Sequence, residues 1–142
     1  MNVAAVWARD ARAVRLLRPL FVARVSAGFP SPAEDWVEGR LDLNRYLVRH
    51  PAATFFVRVS GDSMIGAGIN CDDILIVDRA AEADDGDVVI ARLNNELTVK
   101  RLRVRDDGIW LMPENEEYEP IHVNEEMDFE VWGKVCHVIH SL

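Results

Sequence analysis

Past Pro51 the chain reads as strands to its end, and this constrains the fold more than any other feature. Thr54 to Ser60 and Ile74 to Asp78 are rich in β-branched and aromatic residues, which fit a pleated surface. Asp87 to Leu93 and Glu96 to Val104 flank Asn94-Asn95, the pair that a tight hairpin turn favours. Asp106-Asp107-Gly108 marks another turn, before Ile109 to Met112. The last run, Phe129 to Ile139, sets Phe129, Val131, Gly133 and Val135 on one face and Trp132 on the other. Both faces of that strand carry apolar groups, more than a small domain covers alone, and this predicts self-association.

Ahead of Pro51 the signals change. Ser31-Pro32-Ala33-Glu34 is a capping box with Pro at the first helical position. It predicts a short helix through Trp36 that stops at Gly39, and a second helix is predicted from about Asp42 to His50. Residues 1–27 form a basic arm. On a helical wheel its Trp7, Val14, Leu17 and Phe21 share a sector opposite the arginines, with Pro19 as an interruption. An amphipathic helix or a loosely docked tail fits that pattern. The predicted architecture is mostly β, with two short helices at its start and the arm before them. At 142 residues the chain suits one domain with an appendage.

Charge separates the two parts. Residues 1–27 hold five Arg against Asp10 alone, a net of +4, which leaves −12 on residues 28–142 within a total of −8. An acidic body repels phosphate backbones, so direct nucleic-acid binding is not expected, the short basic run at Lys100, Arg101, Arg103 and Arg105 being a local exception. No apolar run approaches the roughly 18 residues of a membrane span. Cys71 and Cys136 are too few for a disulfide framework or a four-thiolate zinc site, and His137 and His140 lack companions. A reducing, cytoplasmic setting with no metal and no cofactor is expected.

The stretch Val57 to Ile69, VRVSGDSMIGAGI, holds the candidate nucleophile. Ser63 is either a turn residue, which its neighbours favour, or a nucleophile, which requires a base within reach. No histidine context offers one. Lys100 does: strand alternation puts it on the face of Thr98, Leu102 and Val104, where a lysine is unusual. Exposed, only about one lysine in 2,500 is neutral at pH 7. Burial lowers the pKa toward the range a general base needs, and Arg101 and Arg103 push weakly the same way.

Phe29-Pro30-Ser31-Pro32-Ala33, Val59 to Met64, Ile74 to Asp78, Gly86 to Ile90 and Leu97-Thr98-Val99-Lys100 occur in an order that resembles the UmuD/MucA-like branch of the LexA-like self-cleaving serine/lysine peptidases. The likeness spans residues 20–142. It implies a LexA-type, β-clip-like catalytic domain over residues 28–142, and a cleavable arm over 1–27. By position it implies Ser63 as nucleophile, Lys100 as general base and Ala27-Gly28 as the scissile bond. The backbone N–H groups of Asp62 and Ser63 are candidates for the oxyanion hole. The implied partners are a second copy in a homodimer, a RecA filament on single-stranded DNA that stimulates cutting, and a UmuC-like error-prone polymerase of the SOS response. A LexA-like transcriptional regulator and a signal-peptidase-like processing enzyme are the alternatives; the first needs a DNA-reading domain before the cut, the second a membrane anchor. Two positions depart from the pattern: Asp72 stands where the family has the glycine of an Asp-Gly-Asp turn, and Gly66 where it has an acidic residue.

Overall fold

The computed structural model describes residues 1–10, 17–21 and 37–142. Among them are ten strands and one short α-helix: β1 (Asn2–Ala8), β2 (Leu17–Phe21), β3 (Val37–Asp42), α1 (Leu43–Leu47), β4 (Thr54–Ser60), β5 (Ile74–Asp78), β6 (Val88–Leu93), β7 (Glu96–Arg105), β8 (Gly108–Met112), β9 (Ile121–His122) and β10 (Phe129–Ile139). Eight strands form one sheet in the order β1-β4-β5-β10-β6-β7-β8-β9, and a further pairing of β1 with β7 closes it into a barrel. Closure removes the edges that an open sheet leaves unpaired. β2 and β3 form a separate two-stranded ribbon.

The predicted strands after Pro51 are all present, within a residue or two at their ends. Asn94 and Asn95 both take positive φ, 50° and 68°, as a two-residue turn between strands of ordinary twist demands. The barrel interior holds Val57, Val59, Met64, Leu75, Val77 and Val99, all with no exposed surface. A second cluster of Val89, Ala91, Leu102 and Leu111 sits between the β6-β7-β8 face and the loops over it. The final strand departs from strict alternation. Its register slips between Val131 and Gly133 and again between Val135 and His137, so Val131 packs on the second cluster while Trp132 and Val135 pack on the first. Trp132 is covered by its own chain, with Phe55 at 5.4 Å between ring centroids and the Arg79 guanidinium at 4.4 Å.

The start of the chain corrects the helical expectations. Residues 2–8 are neither helix nor loose tail but strand β1, antiparallel to β4. Val3 and Ala5 are half-buried while Asn2, Ala4 and Val6 are exposed; β4 supplies the backbone partners that a helical wheel cannot anticipate. Pro19 lies within β2, in a ribbon where a missing N–H is tolerated. The first predicted helix falls on residues 31–36, outside the described residues, and its expected end is strand: β3 runs through Gly39. The second shrinks to α1, five residues capped by Asp42, whose carboxylate accepts from the Asn44 N–H at 3.1 Å, with a separate 3-10 turn at Pro51–Ala53. The 27/28 boundary lies outside the described residues.

Asp72 answers one departure from the family pattern. It adopts φ 69°, the left-handed conformation that a glycine takes without cost, and its N–H bonds to Val59 O at 2.9 Å. The turn keeps its geometry at the expense of strain in Asp72.

Candidate functional site

Ser63 follows directly on the turn that ends β4. Gly61 takes φ +92° there, and Met64, wholly buried in the barrel core, pins the turn to the barrel's end. Lys100 projects from the middle of β7. Its Nζ donates to Ser63 Oγ at 3.2 Å, to Thr98 Oγ1 at 3.1 Å and to Val99 O at 3.1 Å. Ser63 has no exposed surface and Lys100 only 6 %. Burial holds the Lys100 ammonium below its ordinary range, and a hydrogen bond with the Met1 amino group offsets part of that shift. The two arginines expected to contribute do not. Arg101 turns to the Glu114 carboxylate and the Gly86 carbonyl, and Arg103 faces Asp85 at 3.8 Å. Desolvation is therefore the lever on this lysine.

A lysine that loses its proton in such a place accepts one from a hydroxyl at hydrogen-bond distance. Met1 is also part of the site: its amino nitrogen donates to Ser63 Oγ, and its carbonyl accepts from the Val99 N–H at 3.0 Å and from Thr98 Oγ1 at 2.9 Å. The amine is pulled down to about 5, by burial first and then by its hydrogen bond to Lys100 and the charge there.

The segment 113–118 completes the site, and sequence reading passed over it. The Glu114 N–H donates to Ser63 O at 2.7 Å and the Glu114 carbonyl accepts from the Gly66 N–H at 2.8 Å. Asn115 Nδ2 donates to Asp62 O at 3.1 Å, and Tyr118 Oη donates to the Asp62 carboxylate. Arg101, next in sequence to Lys100, holds the Glu114 side chain. The carbonyls of Asp62 and Ser63 are thus tied to this loop, which fixes the orientation of the turn that carries the candidate oxyanion donors. The second departure finds its place here, since a Cβ on Gly66 would lie 2.6 Å from Glu114 O. The loop's signal in the sequence is faint, a Tyr and an Asn between Pro113 and Pro120 with no period to read.

The other predicted residues lie elsewhere. Ala27 and Gly28 fall outside the described residues. His140 Nδ1 bonds Asp73 at 2.6 Å, while His137 faces the Tyr46 ring. Both cysteines are exposed. Among the described residues no three His, Cys, Asp or Glu side chains converge as metal ligands, and no helix is long and apolar enough to cross a membrane. A cavity of about 510 Å³ lies beside α1 and β10, lined in part by His50, Asp78 and Lys134; neither Ser63 nor Lys100 borders it.

Comparison with known proteins bears on this geometry. The pattern of the family described as Peptidase S24-like matches residues 19–136. The chain is 46% identical to Protein ImpA of Salmonella typhimurium over 125 residues, 87% of this chain and 84% of that protein. Protein MucA of Salmonella typhimurium is 44% identical over 120 residues, 84% of this chain and 82% of that one. The LexA repressor of Arthrobacter sp. (strain FB24) is 44% identical over 124 residues, 85% of this chain but 47% of the repressor.

Proposed function

The chain belongs to the Peptidase S24-like family, and from that premise we propose that it is a UmuD-like peptidase that cuts itself between Ala27 and Gly28 with Ser63 as nucleophile and Lys100 as general base. The observation that carries the reading is the 3.2 Å contact between a buried serine hydroxyl and a buried lysine whose ammonium is destabilised by that burial. In the cutting state neutral Lys100 takes the proton of Ser63 Oγ as the oxygen attacks the carbonyl carbon of Ala27. The oxyanion is held by backbone N–H groups of the Asp62-Ser63 turn. Lys100 then returns its proton to the departing Gly28 nitrogen, and the acyl-serine is hydrolysed by a water that Lys100 deprotonates in turn. Ala27 fits a narrow subsite, and Gly28 lets the backbone bend for attack.

The biological setting follows the same resemblance. A RecA filament on single-stranded DNA stimulates the cut, and the 28–142 product serves as the accessory subunit of a UmuC-like error-prone polymerase in the SOS response. Nucleophile and base both belong to the chain, so the filament adds no chemical group; it favours the conformer in which the cleavage segment is docked and Lys100 is neutral. The matches to ImpA and MucA, each over more than four fifths of that protein, support this reading. Val138 and Ile139, apolar residues left exposed at the end of β10, support a homodimer through that strand.

Chains carrying Ser63→Ala, Lys100→Ala or Lys100→Arg, incubated with an activated filament, test the dyad. All three should stay intact while the parent is cut, the arginine because its guanidinium keeps its proton. Cutting by the Ser63→Ala or the Lys100→Ala chain removes the assignment.

A further inference from the structure

The space around Ser63 Oγ is taken by the chain's own first strand. β1 pairs with β4 from Asn2 opposite Ser60 to Ala8 opposite Phe55, and reaches β7 where Asn2 faces Thr98. Met1 is driven into the barrel's end, 6 % exposed, with its amino nitrogen on Ser63 Oγ and its carbonyl on Val99 and Thr98. A carbonyl carbon about to be attacked must come within about 3–3.5 Å of the hydroxyl oxygen. Ser63 has no exposed surface and Met1 stands on its hydroxyl, so a second segment needs Met1 to withdraw before it can come that close.

The rest of β1 is held chiefly by its backbone pairing with β4, which runs to Ala8 with one register shift. Val3 packs against the core, but Val6, Trp7 and Ala8 are exposed, and the Arg58 guanidinium stands 5.6 Å from the Trp7 ring. The strand thus has a buried end and a body that is paired with β4 while much of its side-chain surface faces outward. Its residues Asn2 to Val6, Asn-Val-Ala-Ala-Val, are uncharged, and those facing inward are small, which suits a strand laid along a sheet edge with its neighbours' backbone as the main partner.

We propose that the cleft between β4 and β7 is a single-occupancy site for an extended, uncharged, small-residue peptide strand, and that β1 fills it in the resting chain as an internal competitive inhibitor of self-cleavage. This rests on Ser63 as the nucleophile. Release of β1 then precedes docking of the cleavage segment, and any partner or condition that lifts β1 from β4 activates the chain.

The test reads access to Ser63 directly, by the rate at which a small fluorophosphonate labels it in the full chain, with Ser63→Ala as the blank. Val3→Asp, which sets a carboxylate against the core under β1, should speed labelling by about tenfold, and Trp7→Ala, at an exposed position, by about threefold. Self-cleavage should rise in the same order. A synthetic peptide of residues 1–8 should then slow labelling of both variants in a saturable way, and the same peptide with Val3→Asp should not. If circular dichroism finds Val3→Asp unfolded, Trp7→Ala decides alone. Equal labelling of parent and folded variants overturns the proposal, as does a peptide without effect. Labelling no faster than the blank in every chain instead removes Ser63 as nucleophile, and the proposal with it.

Discussion

Thr98→Val should make self-cleavage start at lower pH. The Lys100 ammonium has three acceptors, Ser63 Oγ, Thr98 Oγ1 and Val99 O, and valine removes one of them while keeping the branched shape that suits a strand. A hydrogen bond to a charged group contributes roughly 1.5–3 kcal/mol. The neutral amine also uses Thr98, more weakly, so the net loss to the charged form is about 1.4 kcal/mol, a tenfold change in the protonation equilibrium. Burial already holds Lys100 below its ordinary range, and the base form alone is active, so the rate climbs as pH rises through the lysine's pKa. Losing an acceptor that favours the ammonium moves that climb downward, by about one pH unit. The assay follows fragment formation from about pH 6 to about pH 11 and fits a midpoint and a plateau. Thr98 Oγ1 also donates to the Met1 carbonyl at 2.9 Å, so its loss loosens β1 as well, and the midpoint is compared with that of Val3→Asp, which loosens β1 and keeps Thr98. A midpoint that stays put or moves up refutes Lys100 as the titrating base held by these acceptors.

Three further outcomes can be measured. Asp72→Gly should raise stability by about 1 kcal/mol, read as a higher thermal midpoint, because it relieves a left-handed residue at φ 69°. Gly66→Ala should cost about 1–3 kcal/mol in denaturant unfolding and slow self-cleavage by more than tenfold, since its Cβ would meet Glu114 O at 2.6 Å and push away the loop that holds Ser63 O. Lys134 first, then the Asp84 N–H, holds the Asp87 carboxyl below its ordinary value of 3.8. That pairing stabilises the fold above this value and fades as pH falls through the lowered one. Asp87→Asn should therefore cost about 0.5–1 kcal/mol at neutral pH, and the gap should close in strong acid.

Strands β4 to β8 and β10 were legible because each carries its own period and ends at residues with one physical use, as Asn94-Asn95 does in the left-handed region, whereas the two-residue β9 and the closure of the barrel by β1 were not. The burial of Lys100 beside Ser63, on which the proposed dyad rests, was legible for a related reason: a lysine on an apolar strand face is locally inconsistent, a mismatch that draws attention to its position. What failed was whatever depends on a distant partner. Val3 and Ala5 suit a strand as well as a helix, and only the open side of β4 decides between them. Trp132 looked free for a second copy because register slips in β10 cannot be read from its sequence. The loop from Pro113 to Tyr118 holds the nucleophile turn through backbone atoms of Glu114 and the side chains of Asn115 and Tyr118, contacts that have no period and whose one further trace, Gly66 against Glu114 O, is read only once the two segments are seen together.

The central claim is that Ser63 cuts the bond between Ala27 and Gly28. Intact-mass spectrometry of the purified chain, held with an activated RecA filament beside a Ser63→Ala control, measures it most directly. The parent should resolve into two fragments whose masses add to the whole plus one water, the larger beginning at Gly28, while the control keeps its full mass. A parent that stays whole, a cut at another bond, or the same two fragments from the Ser63→Ala chain contradicts it.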